Sequence, residues 1–142
     1  AQMTFALDLS KAIEKAKDNA ELAVRKIAID LFNEVIMMSP VGNPDLWKYP
    51  KEGYVGGRFR ANWNCSIGSP DTSTTESVDP SGSAATGRVA AVVLGYQLGE
   101  KSIYLCNSLP YAMRLEEGHS HTQAPHGMVR VSIARMNAHG YV

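Results

Sequence analysis

The chain has 142 residues, of which 44% are apolar and 20% are charged, and its 14 basic and 14 acidic side chains give a formal net charge of zero. This length suits one globular domain with its own core and is short for two. A free-standing nucleic-acid-binding protein usually carries a basic excess, so the charge balance argues against that function. Weak self-repulsion is compatible with a protein that associates with copies of itself.

The two cysteines, Cys65 and Cys106, are too few for a disulfide framework, and their spacing matches no metal or redox motif. We therefore expect two free thiols. The first ten residues lack the pattern of a signal peptide, and no apolar run approaches the roughly 18 residues of a membrane-spanning helix. The sequence predicts a protein that works on the cytosolic side of any membrane, or inside an assembly, without contacting lipid.

Residues 8–39 carry apolar side chains at intervals of three and four, which places them on one face of an α-helix. Pro40 ends this helix after Ser39, because proline disfavours helical geometry in the residue before it. Such a helix is roughly 45 Å long, more than a small domain requires. Two interpretations of its apolar face stay open, packing on its own sheet or partly on a neighbouring subunit. The positions are Leu9, Ile13, Ala16, Ala20, Val24, Ile27, Leu31, Val35 and Met38.

Residues 40–57 contain three prolines and four glycines and are predicted to form an irregular loop. The loop nevertheless carries large side chains, which are unusual on a segment that contacts nothing. Either it folds back and buries them, or they insert into a partner. These side chains are Leu46, Trp47, Tyr49 and Tyr54.

Alternating apolar residues predict a half-buried strand over 58–68. Residues 69–87 contain one large apolar residue, Val78, and are expected to form a flexible loop. Two further strands are predicted at 88–96 and 102–107.

Pro110 is expected to open a short helix that stops at Gly118, and residues 125–138 are assigned to a C-terminal helix. The predicted fold is a single α+β domain over 1–142. In it, the long N-terminal helix packs on a small antiparallel sheet of three to four strands.

Residues 116–126 combine three histidines with two glutamates, a set that can bind zinc. They lack the helical spacing that would aim two ligands at one ion, so we predict no metal site and no cofactor. Cys106 could pair with His119 or His121 as in a cysteine hydrolase, but a thiol inside an apolar strand stays protonated. We find no phosphate-binding loop and no nucleophile elbow, and we therefore expect no enzymatic activity.

Basic and aromatic side chains alternate between Trp47 and Arg60, with Lys48 and Lys51 between them. Such a mixture can grip nucleic acid through phosphates and base stacking. Arginine and aromatic residues also dominate protein interfaces, and four charges are few for nucleic acid. We favour a protein interface and keep a small nucleic-acid-binding module as the alternative, ahead of a metal- or thiol-dependent enzyme.

Taken in order, several short motifs resemble the tail-completion and minor tail-component proteins of long-tailed bacteriophages, the neck proteins that join head to tail. That family commonly shows "S/T-P-V-D-T-G-R-L-R" before a strand and "Y-A-x-x-x-E-x-G" before a C-terminal segment with proline. Here a long loop replaces "D-T", Gly56 precedes Gly57, and Phe59 replaces the usual leucine. The matching stretches are Ser39-Pro40-Val41, Gly56-Gly57-Arg58-Phe59-Arg60, Tyr111-Ala112 with Glu116 and Gly118, and Ala124-Pro125.

The resemblance implies a structural virion protein without catalysis, located in the tail neck and assembled in the host cytoplasm. It implies a homo-oligomeric ring, most often hexameric, between the head connector (or adaptor) and the tail terminator or tail tube, with DNA passing through the lumen without sequence-specific binding. Arg58 and Arg60 would offer guanidinium groups to carboxylates, with Glu116 as one partner. The residues expected at subunit or partner contacts are Trp47, Tyr49, Tyr54, Gly57, Arg58, Arg60, Tyr111, Glu116, Gly118 and His119.

Overall fold

The computed structural model of the chain describes residues 4–49, 51–99, 101–138 and 140. Within them the fold is α+β, as expected, with five α-helices and a two-stranded antiparallel sheet. None of these helices is long and apolar enough to cross a membrane. The elements are α1 (Thr4–Met38), a 3-10 turn (Pro44–Leu46), α2 (Arg58–Ala61), β1 (Asn64–Ile67), α3 (Ser83–Leu94), β2 (Ile103–Cys106), α4 (Ala112–Glu116) and α5 (Val129–Ala138).

The predicted long N-terminal helix is confirmed, but only its C-terminal half enters the core. Val35 and Ile36 are buried, and this half packs on α3 and α5. Residues 9–19 are exposed on every side of the helix. The change occurs near Glu21, whose carboxylate accepts a hydrogen bond from the Leu98 amide at 2.7 Å. The N-terminal half of α1 therefore projects beyond the domain.

The strand predicted over 58–68 is wrong in its first half. Residues Arg58–Ala61 form the short helix α2, and only Asn64–Ile67 form a strand. The apolar-polar alternation over 58–68 was ambiguous, because Phe59 and Trp63 are four residues apart. That spacing also fits two side chains on one side of a helical turn. Both are buried, with ring centroids 5.6 Å apart.

The strand predicted over 88–96 is also wrong, because the segment belongs to helix α3. Its buried residues, Ala85, Val89 and Val93, recur every four positions. This helix begins at Ser83, so the last five residues of the predicted loop 69–87 are helical. The Asp79 carboxylate accepts a hydrogen bond from the Ala85 amide at 2.8 Å and thereby satisfies an unpaired donor of the first turn.

The predicted strand 102–107 is confirmed as β2, which pairs antiparallel with β1 from Asn64 opposite Cys106 to Ile67 opposite Ile103. Because α2 and α3 occupy predicted strand positions, the expected three to four strands are not confirmed. The sheet has two strands in the described part of the chain. The short helix after Pro110 and the C-terminal helix are both present, as α4 and α5.

The C-terminal end of α1 is held by three residues that we call the Ser39 junction: Ser39, Arg60 and Trp63. The buried Ser39 hydroxyl donates to the Val35 carbonyl oxygen and accepts a hydrogen bond from Trp63 Nε1, both at 2.8 Å. The Arg60 guanidinium donates to the carbonyl oxygens of Ser39 at 2.9 Å and Met37 at 2.8 Å. A cation at the C-terminus of a helix satisfies unpaired carbonyls and complements the helix dipole.

Arg60 also joins this helix end to the segment before α3, by donating to the Pro80 carbonyl oxygen at 2.8 Å. Burial lowers the pKa of Arg60, while the nearby Asp79 carboxylate raises it. One side chain therefore connects α1, α2 and the start of α3. We infer that Arg60 stabilises the fold, and its expected place at an interface stays a prediction.

We expect Arg60→Ala to lower the free energy of unfolding by about 2 kcal/mol, because three charge-assisted hydrogen bonds to backbone carbonyl oxygens are lost, one of them part-buried. Arg58→Ala is the matched control, since Arg58 contacts the mostly exposed Glu76 and should cost less than about 1 kcal/mol. Urea denaturation of both variants checks the difference. Equal destabilisation would contradict the structural role of Arg60.

Candidate functional site

An open groove of about 610 Å³ lies at the C-terminal end of α1. One wall comes from the loop between α1 and α2, and the other comes from α4 and the histidine-containing loop after it. We call it the aromatic groove. Its principal lining residues are Val41, Trp47, Tyr54, Gly57, Arg58, Phe59, Tyr111, Leu115, His119, His121 and Gln123.

Two pairs of aromatic rings line this groove, Trp47 with Tyr54 and Phe59 with Tyr111. Trp47 and Tyr54 pack against each other with centroids 4.7 Å apart. Phe59 lies 6.0 Å from Tyr111 and also contacts Trp63 in the core. Trp47 is 41% exposed and Tyr54 is 37% exposed. The loop therefore folds back only partly, and its aromatic faces remain open to a partner.

A side-chain amide ties the two walls of the groove together. The Gln123 side chain donates to the Val41 carbonyl oxygen and accepts from the Val41 amide, each at 2.8 Å. This paired contact spans the loop after α1 and the histidine-containing loop. These two hydrogen bonds therefore fix the distance between the two walls of the groove at this point.

Arg58 supplies a positive charge to the groove. Its guanidinium donates to Glu76 Oε1 at 2.9 Å and to the Thr75 carbonyl oxygen at 3.2 Å. Burial raises the pKa of the Tyr111 hydroxyl, and the Arg58 charge partly offsets this. The predicted partner of Arg58 was Glu116, and the structure places Glu76 there instead.

Six of the ten predicted contact residues line the groove, and Tyr49 is one of those that do not. Tyr49 is 83% exposed, and Lys48 Nζ lies 5.5 Å from its ring centroid. It belongs to the same loop as Trp47 but points away from the groove lining. The six that line it are Trp47, Tyr54, Gly57, Arg58, Tyr111 and His119.

Glu116 serves the fold and does not pair with Arg58 or Arg60. Its carboxylate accepts hydrogen bonds from the amides of Met128 and Val129 at 2.9 Å and Arg130 at 3.0 Å, which open helix α5. The Arg130 side chain adds an ion pair at 3.3 Å. Burial alone would raise the pKa of Glu116, but these hydrogen bonds outweigh it and hold the pKa below its ordinary value.

Gly57 and Gly118 also have structural roles, because both adopt positive φ angles where a side chain would meet backbone. A Cβ atom on Gly57, at φ 110°, would lie 2.5 Å from the Pro80 nitrogen. One on Gly118, at φ 92°, would lie 2.4 Å from the Pro125 carbonyl oxygen. Glycine is the residue that accepts both constraints. Gly57 allows the chain to pass close to Pro80 at the groove, and Gly118 allows it to pass close to Pro125.

The histidines and cysteines do not assemble into a reactive centre in the described ranges. There, no three His, Cys, Asp or Glu side chains converge as a metal site would require. His119 and His121 line the groove, whereas His126 lies on a different surface next to Arg130. Both cysteines are free, and burial raises the pKa of the Cys65 thiol to about 11.

Sequence reasoning missed several groove residues, among them Val41, Phe59, Leu115 and Gln123. Phe59 and Leu115 were assigned to a strand and to a helix, and nothing in the local sequence shows that both side chains line one groove. Gln123 has no sequence signal at all, since its contacts are with the backbone of Val41, far away along the chain. The arrangement as a whole is suited to binding an apolar or aromatic surface.

Comparisons of the chain with protein-family models, with curated proteins and with solved structures give no match.

Glu116→Gln should reduce stability at pH 7 by about 1–2 kcal/mol, because a neutral amide is a weaker acceptor for the first amides of α5. The pKa of Glu116 is lowered in the folded state, so the carboxylate's contribution is fully present above its ordinary value of 4.5 and is lost as pH falls through the folded value. The difference from wild type should therefore shrink in acid. Denaturant titrations between pH 7 and the acid limit of folding test this, with the exposed Glu117→Gln as control. A deficit that is independent of pH would contradict the assignment.

Gly57→Ala should destabilise the chain by more than about 3 kcal/mol, since the new methyl group collides with the backbone at Pro80. Gly53→Ala is the control, because Gly53 also has positive φ but has open space around its Cβ position. That variant should cost about 1–2 kcal/mol. Thermal unfolding of the two variants gives the comparison, and similar losses would show that the close approach to Pro80 is unimportant.

Proposed function

We propose that the chain is a structural subunit of a bacteriophage neck, which forms a homo-oligomeric ring, most often hexameric, that joins the head connector to the tail tube. The observation that supports this most strongly is the pairing of two open surfaces at opposite ends of α1. The aromatic groove lies at its C-terminal end, and an exposed half-helix extends from its N-terminal end. A subunit that contacts neighbouring protein chains at two separate places needs two such surfaces.

The composition of the groove supports protein binding. Exposed Trp, Tyr and Arg side chains around an apolar floor are the residues that contribute most binding energy at protein interfaces. Trp47, Tyr54 and Tyr111 each keep more than a third of their surface exposed. An interface built on these rings would bury apolar area at a low cost in side-chain entropy.

Ring formation follows from contact between unlike surfaces. When one patch on a subunit meets a different patch on the next subunit, repeated addition closes a ring if the rotation is suitable. In the proposed ring, the aromatic groove of one subunit binds a different surface of the next subunit. In the proposed ring, DNA passes through the lumen and is not read by sequence.

The alternative of a nucleic-acid-binding module receives less support. Arg58 is paired with Glu76, and Arg60 is bound to three carbonyl oxygens within the chain. Of the four basic residues considered for phosphate contact, this leaves Lys48 and Lys51 on the exposed loop. Two lysines are a small basic footprint for a phosphate backbone.

The test is a joining assay in which purified heads and tails of the phage that carries this chain are mixed with the wild-type or variant protein. Trp47→Ala should lower the yield of joined particles at least tenfold, because it removes the largest exposed ring of the groove. Tyr49→Ala is the matched control from the same loop and should join normally. Negative-stain imaging counts the particles and shows whether a ring is present. Equal yields for the two variants would contradict the proposal.

A further inference from the structure

The N-terminal half of α1 carries an apolar face that its own domain does not cover. Residues 9–19 are exposed, with Leu9 at 51% and Ile13 at 59%. Ala16 and Ala20 continue the same face at helical spacing. A solitary helix of this length is marginally stable in water, so a partner on this face would stabilise it. We call residues 9–20 the projecting segment.

The apolar face of the projecting segment is continuous with the face that the domain buries. Its positions repeat every eleven residues, as from Leu9 through Ala20 to Leu31 and from Ile13 through Val24 to Val35. An eleven-residue repeat corresponds to about 3.67 residues per turn, which keeps the stripe nearly straight along the helix. The sequence thus carries a helix-packing pattern well beyond the point where the domain ends.

We propose that the projecting segment binds the same segment of a second copy of this chain, with the two helices antiparallel. A two-fold axis between residues 14 and 15 sets Leu9 of one copy opposite Ala20 of the other, and Ile13 opposite Ala16. Each layer then combines one large and one small side chain, which is the arrangement that fills a helix-helix interface evenly. We choose a second copy as the partner because the order of large and small side chains along the segment fits the same order read in the opposite direction.

The charges beside the stripe fit the same arrangement. Lys17 lies on one flank of the apolar face, and Glu14 lies further round the helix on the same side, within reach of a long lysine side chain. In the antiparallel pair, Lys17 of one helix is offset from Glu14 of the other by about 3 Å along the axis. Helical side chains lean toward their own N-terminus, so these two lean toward each other, and the symmetry forms the pair twice. The opposite flank carries the uncharged Ala12 and Asn19.

A parallel pair fits less well. It would place Ile13 against Ile13 and Ala16 against Ala16. Layers of two large side chains would then alternate with layers of two small ones, which pack less evenly. In addition, the antiparallel pair puts the two domains at opposite ends of the helices.

This contact uses a surface separate from the aromatic groove and does not depend on the proposed role in a phage neck. The segment is short, and its interface lies at the small end of those seen between proteins. We therefore expect a dimer that forms in the micromolar range and is in equilibrium with monomer.

Crosslinking tests both the contact and its direction. Leu9→Cys and Ala20→Cys variants are prepared separately, mixed, and treated with a short bifunctional thiol reagent. Residues 9 and 20 of different copies lie at the same height in the antiparallel pair, whereas two copies of residue 9 are about 16 Å apart. The mixture should give at least tenfold more crosslinked dimer than either variant alone. Wild type controls for the half-buried native thiols.

Efficient crosslinking of Leu9→Cys with itself would overturn the antiparallel arrangement. Sedimentation supplies a second, independent measurement. Ile13→Glu should weaken dimerisation at least tenfold without loss of folding, because Ile13 is exposed. Leu22→Glu is the matched control, since Leu22 is 60% exposed but lies on the opposite face. A wild-type chain that stays monomeric at about 0.5 mM, or equal effects of the two substitutions, would overturn the proposal.

Discussion

The structure depends on how the C-terminal end of α1 is held. A helix end leaves carbonyl groups without partners, and here Arg60 satisfies those of Met37 and Ser39 while the Trp63 indole binds the Ser39 hydroxyl. These contacts are polar and directional, and the bond between Trp63 and Ser39 is buried, so they fix the angle at which α1 leaves the core. The same arginine reaches Pro80 and so positions the start of α3. The Ser39 junction therefore determines where the remaining elements can pack.

Two functional consequences follow from this fixed end. The chain turns at Pro40 directly into the loop that forms one wall of the aromatic groove, so the groove is attached to the end of α1 that the Ser39 junction holds. In the other direction α1 runs straight out of the core, and its N-terminal half has no domain left to pack on. One helix thus places one open surface beside the core and another at a distance from it. Both surfaces are suited to other protein chains, and the proposed contacts use them separately.

Much of this could be predicted from the sequence, for identifiable reasons. The three-and-four spacing over α1 is long and regular, and together with the predicted strand at 102–107 it gives the α+β class. The first half of the segment 58–68 was assigned wrongly because the spacing of four between Phe59 and Trp63 fits a helical turn as well as a strand. Val89 and Val93 lie in an unbroken apolar run that conceals their spacing of four. The contacts of Arg60 and Glu116 within the fold could not be predicted, because their partners are mainly backbone groups brought close only by the tertiary fold.

The central claim is that the domain stabilises the C-terminal half of α1, whose end is held by the Ser39 junction, and that a second chain stabilises the N-terminal half. Hydrogen exchange of α1 amides, followed at a low and a high protein concentration, tests it most directly. We predict that residues 28–38 are strongly protected at both concentrations, because they are packed in the core. Residues 9–20 should exchange rapidly in dilute protein and become protected as the concentration rises. Equal protection along the whole helix in dilute protein, or exchange of residues 9–20 that does not depend on concentration, would contradict the account.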